Sequence, residues 1–346
     1  MTRLEKLLRR FGVMGSGRQR TADVFLDIGS HTTKLLIGES LTIHPTCFVQ
    51  HQASMAVLAV GDQALKMLGK LPEHTRVVFP VRFGKVQDQV QLELFVQSIL
   101  QDSISQGIQT FFSPHRLHLA VLHPEQSAQH RAWEQSLKSW GRVMPVQSCA
   151  NAIWQSVRNQ HLFTGDGCVI DIGAMTTKFY MYTNGNVVSQ KILECGGDTW
   201  THEVMQALRR ESQLEVGWVT AEYLKTKAIQ FERSSQKHSV QGKDLVTGLP
   251  TTRVIDEDVF AEKKHTLLKQ LVEVFQQLSQ QSSPELVAKV RETGVYLTGG
   301  GSRIKGLAKH VEQALKLPVH ASRFPQRDVV QGLSALRSHH EKAHRA

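Results

Sequence analysis

The chain has 346 residues, of which 40% are hydrophobic and 21% charged, and this composition excludes a disordered, fibrous or small disulfide-stapled protein. No stretch approaches the roughly 18 uninterrupted apolar residues of a membrane-spanning helix, and four widely spaced cysteines favour a reducing cytoplasm over a zinc site or disulfide scaffold. The formal net charge of +10 raises nucleic acid as a partner, but without a zinc finger, a recognition helix or interleaved aromatic and basic residues none is expected.

Half of the basic excess lies in residues 1–20, which we interpret as a basic amphipathic segment that binds a membrane surface. At about 100° per residue, apolar and basic side chains fall on opposite sides of a helix. The apolar side consists of Leu4, Leu7, Leu8 and Phe11, and the basic side of Arg3, Lys6, Arg9 and Arg10. These charges interrupt the apolar residues, which argues against a secretory signal. A frayed basic tail is the alternative.

One motif, Asp-Ile-Gly-x-x-Thr-Thr-Lys, occurs at 27–34 and again at 171–178. In each copy an apolar run rich in branched residues is followed by a short turn with glycine and a second apolar run, which predicts a tight β-hairpin. The repeat indicates a duplicated chain whose two lobes face each other across a cleft. Two ordinary hairpins with coincidentally similar turns are the alternative.

These turns suit a nucleoside triphosphate. Glycine lets backbone N–H groups approach phosphate oxygens, and Ser and Thr hydroxyls supply further donors. Asp27 and Asp171 stand at equivalent strand ends, where we expect them to hold Mg²⁺ directly or through its water shell.

Two later segments complete the pattern. Residues 264–281 have apolar side chains at helical spacing and predict a helix that packs on the core. Residues 294–309 predict a buried strand, a turn with three glycines at 299–301 and then a helix, and such a turn can pass flat against a nucleoside.

In this order, the two hairpins and the Leu-Thr-Gly-Gly-Gly turn resemble the three nucleotide motifs of the actin, Hsp70 and hexokinase superfamily. Linking segments at 60–70, 242–250 and 284–287 are similar to the MreB family of bacterial actin homologues. The resemblance covers nearly the whole chain and implies an α/β, two-lobed actin-like ATPase fold, with duplicated mixed-sheet domains around a nucleotide cleft.

The resemblance also implies a domain organisation. The basic segment at 1–20 precedes domain I, which is formed by 21–150 and 323–346 with a small insertion at about 48–83. Domain II is formed by 151–322 with an insertion at about 198–261.

Site residues follow from the resemblance position by position. The first phosphate loop would comprise Asp27, Gly29, Ser30, Thr32 and Lys34, and the second Asp171, Gly173, Thr176 and Thr177. Gly299, Gly300 and Gly301 would face the nucleoside, while Glu222 and Lys225 would contact ribose or base from one helix face. A solvated surface pair is the alternative for Glu222 and Lys225.

The sequence departs from the family pattern in two places, one at Gln147 and one in the second phosphate loop. Gln147 stands where the family has a catalytic glutamate, so it would orient an attacking water but cannot accept its proton. Asp171 is the second catalytic residue that the resemblance implies. Ala174 and Met175 replace two glycines of the second phosphate loop, where a Cβ would cost energy at a positive φ. We therefore expect at most a slow ATPase coupled to polymerisation.

The function implied is that of an MreB-like cytoskeletal protein that binds ATP and Mg²⁺, forms membrane-associated filaments and organises cell shape and cell-wall synthesis. Its partners would be other copies of itself, the inner face of the cytoplasmic membrane and membrane proteins of the cell-elongation machinery. The location would be cytoplasmic and peripheral at that membrane. A non-hydrolysing actin-like paralogue that serves as a nucleotide-binding scaffold, or a small-molecule kinase on the same fold, are the alternatives.

Overall fold

The computed structural model describes residues 23–105, 116–122, 127–160, 163, 165–228 and 236–343. The predicted membrane-binding residues Leu4, Leu7, Leu8 and Phe11 lie outside these ranges. The chain forms two compact units, the first from Met1–Gln160 with Arg327–Ala346 and the second from His161–Gln326.

The large sheet of the first unit has the strand order β10-β9-β1-β2-β3, with β11 also paired to β9. Strands β1, β2 and β3 form an antiparallel meander, and β9 pairs with β1 in parallel. The strands are β1 (Asp23–Ile28), β2 (Thr32–Ile37), β3 (Ser40–Pro45), β9 (Arg116–Val121), β10 (Arg142–Val143) and β11 (Gln147–Ser148).

Helices cover both faces of this sheet because β1 is apolar on both sides. Leu26 faces a core cluster that contains Phe95 and Trp133, while Phe25 faces a second cluster with Ala152 and Val330. The helices of the unit are α1 (Asp62–Lys66), α2 (Gln89–Ser105), α3 (Ser127–Leu137), α4 (Cys149–Asn159) and α10 (Asp328–Ala343).

The segment predicted as a small insertion at about 48–83 folds around its own three-stranded sheet, of order β5-β4-β6. Its core contains Cys47, Val49, Ala59 and Ala64. The strands of this region are β4 (Phe48–His51), β5 (Val57–Val60), β6 (Thr75–Val78) and the short pair β7 (Val81–Arg82) and β8 (Lys85–Val86).

The second unit repeats the strand pattern of the first. Its sheet has the order β14-β13-β12-β18-β19, with an antiparallel meander followed by parallel strands. The strands are β12 (Gly167–Ile172), β13 (Thr177–Thr183), β14 (Asn186–Leu193), β18 (Val295–Thr298) and β19 (Val319–Ala321). The duplication predicted from the repeated motif is therefore a duplication of topology.

Three helices pack on this sheet: α7 (Ala261–Gln281), α8 (Pro284–Thr293) and α9 (Leu307–Leu315). The prediction of a core-facing helix at 264–281 is confirmed, since Leu271, Val274, Phe275 and Leu278 are buried along α7. Ser283 caps α8 by accepting a hydrogen bond from the Leu286 N–H.

The segment predicted as an insertion at about 198–261 has its own core, which includes Leu208, Leu224, Val240 and Phe260. A three-stranded sheet of order β15-β16-β17 lies beside two helices. The elements are α5 (Gly197–Ser212), β15 (Leu214–Glu215), α6 (Trp218–Ala228), β16 (Lys237–Asp244) and β17 (Pro250–Asp256), followed by a 3₁₀ helix at Glu257–Phe260.

The first unit ends after α4, because α4 packs closely on α10. The boundary that we expected after residue 150 falls in the first turn of α4, and the second unit begins at His161 instead. Within the described ranges, no helix combines the length and the apolar character needed to cross a bilayer.

Candidate functional site

The first predicted phosphate loop is the turn between β1 and β2. The Gly29 N–H donates to the Thr32 carbonyl at 3.1 Å and closes the turn. Asp27 and Lys34 lie opposite each other in the antiparallel ladder, and the Lys34 Nζ is 3.1 Å from Asp27 Oδ2. Both side chains are largely buried, so the turn carries a fixed ion pair at its base.

The second predicted loop, between β12 and β13, has the same geometry. The Gly173 N–H donates to the Thr176 carbonyl at 2.8 Å, and the Lys178 Nζ lies 2.7 Å from Asp171 Oδ2. Asp171 and Lys178 are again opposite in the ladder. The repeated sequence motif therefore encodes a repeated Asp–Lys turn. Lys178 belongs to the second turn but is not among the site residues predicted from the sequence.

Two of the predicted hydroxyl groups have partners within the protein. The Ser30 Oγ accepts a hydrogen bond from the Gly84 N–H at 3.3 Å. The Thr177 hydroxyl donates to the Cys195 carbonyl at 2.8 Å. These hydroxyls hold the hairpins against neighbouring segments, whereas Thr32 and Thr176 close the turns through their carbonyl groups.

The strain expected at Ala174 and Met175 is absent, which corrects the prediction. Neither residue is among the non-glycine residues with positive φ in the described part of the chain. A Cβ is therefore tolerated at both positions without the cost of left-handed backbone. Their backbone N–H groups, like that of Ser30, have no hydrogen-bond acceptor among the described residues.

The N-terminus of α5 contacts the second turn. The Gly197 N–H donates to the Gly173 carbonyl at 2.9 Å, and the Asp198 N–H donates to the Ala174 carbonyl at 2.7 Å. A Cβ on Gly196 would lie 2.5 Å from the Ala174 carbonyl oxygen, so no side chain fits there. The turn is thus held by the first helical N–H groups, which would otherwise lack acceptors.

Glu222 and Lys225 lie on α6 and pair with each other. The Lys225 Nζ lies 2.6 Å from Glu222 Oε2 and donates to the Gly197 carbonyl and the Thr201 hydroxyl, each at 3.0 Å. These three partners match the three donors of an ammonium group. Lys225 is buried, so the solvated-pair alternative does not describe it, and the contacts show it bracing the start of α5.

The three predicted nucleoside-facing glycines directly follow β18, and two of them, Gly299 and Gly301, lie close to the end of β12. Gly299 has a φ of 85°, and a Cβ there would lie 2.3 Å from Asp171 Oδ1. A Cβ on Gly301 would lie 2.4 Å from the Ile172 side chain. The short 3₁₀ helix Gly300–Arg303 follows. Only glycine allows this close approach to Asp171.

Gln147 lies in β11, in the first unit. Both Asp27 and Gln147 pair with Ala120 of β9. They therefore occupy one row across three strands, about 10 Å apart. The Gln147 Nε2 donates to the Pro145 carbonyl at 3.2 Å. Its Oε1 has no partner among the described residues, which leaves an acceptor that can orient a water molecule.

The donor set fits phosphate groups. Each turn combines a glycine without a side chain, a lysine ammonium and backbone N–H groups that have no acceptor among the described residues, namely that of Ser30 in the first turn and those of Ala174 and Met175 in the second. For Mg²⁺, the described residues contain no cluster of three or more His, Cys, Asp or Glu side chains. Asp27 and Asp171 are single carboxylates, which fits an ion that takes its other ligands from phosphates and water.

Comparison with known proteins identifies relatives along almost the whole chain. The MreB/Mbl protein family model matches residues 20–345. The cell shape-determining protein Mbl of Bacillus subtilis (strain 168) is 24% identical over 324 residues, or 92% of this chain and 97% of that protein. The cell shape-determining protein MreB of Escherichia coli (strain K12) is 24% identical over 338 residues, or 94% of each chain.

Solved structures show the same fold. MreB5 of Spiroplasma citri bound to AMPPNP superposes with a TM-score of 0.85 at 20% identity, covering 94% of this chain and 98% of that chain. The MamK double helical filament gives a TM-score of 0.74 at 18% identity, covering 91% and 99%. The prediction of an actin-like α/β fold with duplicated mixed sheets is confirmed. Because the family match extends through both copies of the Asp–Lys turn and the glycine turn at 299–301, the chain belongs to the MreB/Mbl family.

Proposed function

We propose that this protein binds ATP with Mg²⁺ at the two Asp–Lys turns and assembles into filaments of identical subunits. The observation that carries the proposal is the repeated turn, in which Gly29 and Gly173 give phosphate oxygens access to backbone N–H groups and to a lysine. Support comes from MreB5, whose crystal structures contain AMPPNP or ADP, and from MamK, which forms a double helical filament.

The residues divide into three groups in this proposal. Backbone N–H groups of the two turns bind phosphates, and Asp27 and Asp171 orient Mg²⁺ through its water shell. Bound Mg²⁺ neutralises phosphate charge. Gly299, Gly300 and Gly301 face the nucleoside, with Glu222 contributing a carboxylate whose partners are Lys225 and Thr201.

Hydrolysis is slow in this proposal, because the group that would orient the attacking water is an amide. Gln147 accepts a hydrogen bond from water but does not take its proton, so general-base assistance, worth about 10²–10⁴-fold, is missing. A scaffold that binds nucleotide without turnover is the second candidate, and the same amide favours it.

The cellular role that we propose is the organisation of cell shape and cell-wall synthesis. The basic segment at 1–20 would bring filaments to the inner face of the cytoplasmic membrane, where proteins of the elongation machinery would be partners. This part of the proposal is supported by the two cell shape-determining relatives, Mbl and MreB.

The test combines three measurements on the full chain. Millimolar Mg·ATP should raise the melting temperature by mass action, and pelleting should increase when ATP is present. Phosphate release measured on the same samples separates the two candidates, since a slow ATPase releases phosphate on assembly and a scaffold does not. A folded protein with no thermal shift and no ATP-dependent pelleting would disprove the proposal.

A further inference from the structure

We infer that Lys178 is a phosphate-binding residue of the second turn and reduces the dependence of nucleotide binding on Mg²⁺. The inference rests on the proposed function and adds a specific ligand residue to it. Lys178 occupies the position in the second turn that Lys34 occupies in the first. Each lysine pairs with the aspartate opposite it in the ladder. The distance from Nζ to the carboxylate Oδ2 is 2.7 Å for Lys178 and 3.1 Å for Lys34.

The position of the Lys178 ammonium is set by the strand alternation. Asp171, Gly173, Thr176 and Lys178 lie on one face of the hairpin, because side chains alternate along β12 and β13 and the two strands pair in register. A Cβ on Gly173 would lie 4.0 Å from the Lys178 Nζ. The corresponding distance from Gly29 to the Lys34 Nζ is 3.9 Å. In both turns the lysine ammonium therefore lies next to the glycine, where no side chain separates it from the backbone of the turn.

The surroundings of Lys178 favour an anion. Its side chain is only 14% exposed, so its charge is weakly screened by solvent. The N–H groups of Ala174 and Met175 belong to the same turn and have no acceptor in the described structure. A phosphate at this turn would meet an ammonium and backbone N–H groups together, which is a charge-assisted arrangement.

The same pairing limits what Asp171 offers a metal. The Lys178 ammonium donates to Asp171 Oδ2. Gly299 lies so close to Asp171 Oδ1 that a Cβ added to the glycine would be 2.3 Å from this oxygen. A phosphate at this turn would share the Lys178 ammonium with Asp171, so part of the phosphate charge would be balanced without a metal ion. Removal of Mg²⁺ should then weaken nucleotide binding without abolishing it.

A different role for Lys178 would be purely structural, namely to neutralise the buried Asp171 carboxylate. The variant Lys178→Gln alone does not separate the two roles, because it leaves Asp171 buried without its partner. Asp171→Asn with and without Lys178→Gln does separate them, since neither protein has an unpaired carboxylate. Lys191→Gln is the matched control, because Lys191 is exposed on the adjacent strand β14.

The experiment measures dissociation constants for ATP and AMP by calorimetry, with Mg²⁺ and with EDTA. In EDTA, adding Lys178→Gln to Asp171→Asn should weaken ATP binding by about 10- to 100-fold, the usual worth of a hydrogen bond to a charged group. The dissociation constant for AMP should change less than about threefold, because AMP lacks the outer phosphates that Lys178 would contact. Lys191→Gln should bind ATP like wild type, because Lys191 lies outside the turn.

Two results would overturn the inference. If both Asp171→Asn proteins are folded and bind ATP equally in EDTA, Lys178 has only a structural role. If wild type binds Mg·ATP but loses all measurable affinity in EDTA, the ammonium does not balance phosphate charge. A wild-type protein that fails to bind ATP even with Mg²⁺ disproves the proposed function itself, and the inference with it.

Discussion

Gln147 lies in the same row of the first sheet as Asp27, with Ala120 between them. Its Nε2 donates to the Pro145 carbonyl, and its Oε1 has no partner among the described residues. Ser148 fixes the chain immediately afterwards by capping α4 through the Asn151 N–H. In the proposed function this Oε1 would orient the attacking water, and an amide lacks the basicity to deprotonate it.

Replacing this amide by a carboxylate should raise turnover. We expect Gln147→Glu to increase the rate of ATP hydrolysis by about tenfold or more, because it supplies a general base. Gln147→Ala should lower any residual rate without much loss of ATP affinity, since a group that acts on water contributes little to ground-state binding. Phosphate release at saturating Mg·ATP measures both effects.

Gln87→Glu is the control for this pair, since Gln87 makes the same kind of local bond, from Nε2 to the Lys85 carbonyl at 3.1 Å. It should leave turnover unchanged. If wild type hydrolyses ATP rapidly and Gln147→Ala does so at the same rate, another residue orients the water.

A second residue with chemical consequences is His118, which belongs to a charged cluster around Asp23. The His118 Nε2 is 2.7 Å from Asp23 Oδ1, while Arg116 and Arg337 both pair with Oδ2. His118 also stacks on Phe25, with ring centroids 4.6 Å apart. Burial lowers the pKa of His118, although the hydrogen bond to Asp23 opposes that shift.

This lowered pKa makes stability depend on pH. Below about pH 6.5 the unfolded chain binds a proton at His118 that the folded chain takes up only at lower pH. The free energy of unfolding should therefore fall as the pH decreases from 7 to 5. His118→Asn should reduce this slope by up to about 1.4 kcal/mol per pH unit, the value of one proton.

Urea denaturation at a series of pH values measures the slope. His74→Asn is the control, because His74 is exposed and has a φ of 57°, which asparagine tolerates. An unchanged slope in His118→Asn would mean that His118 takes up its proton equally in the folded and unfolded states.

At the scale of elements, the first unit depends on a close crossing of α4 and α10. A Cβ on Gly332 of α10 would lie 1.7 Å from the Ala152 carbonyl oxygen in α4. The backbones of the two helices are therefore in direct contact at Gly332, where no side chain separates them. Ser156 of α4 also donates to Asp328 Oδ1 at the start of α10, at 2.9 Å.

Gly332→Ala should destabilise the protein by about 1–3 kcal/mol, because the methyl group forces the helices apart. This loss should outweigh the gain of about 1 kcal/mol that alanine brings to a helix interior. The measurement is the free energy of unfolding in urea. Gln331→Ala, at an exposed neighbour on α10, should change it by less than about 0.5 kcal/mol. Equal stability of Gly332→Ala and wild type would contradict this account of the crossing.

For the whole molecule, the basic segment at 1–20 predicts membrane attachment that depends on assembly. One copy should bind weakly, since each basic residue contributes about 1 kcal/mol near an anionic leaflet. Filaments would multiply the contacts and bind more tightly. Deletion of residues 2–12 should abolish co-sedimentation of assembled protein with anionic liposomes.

The deletion should leave ATP binding unchanged, and neutral liposomes serve as the control for the electrostatic part of the attachment. Co-sedimentation that persists at the wild-type level after the deletion would place the membrane-binding surface elsewhere in the protein.

The sequence alone determined the features that depend on neighbouring residues. The repeated motif predicted both hairpins, because turn residues and alternating apolar residues act over a few positions. The stripe on α7 predicted its buried face, and the order of the motifs identified the fold. The sequence predicts that the glycines at 29, 173 and 299 let the backbone approach a nucleotide, and in the structure each also lies close to atoms of the protein itself.

Only the tertiary structure decided the contacts between segments far apart in the chain. Lys225 is predicted to contact ribose or base, and the structure adds that its ammonium donates to the Gly197 carbonyl, because α6 packs against the start of α5. The second turn is bonded to the start of α5 through the Gly173 and Ala174 carbonyl groups, and the Asp23 cluster includes Arg337 from α10. Such contacts follow from the packing of whole elements, which residue spacing does not specify.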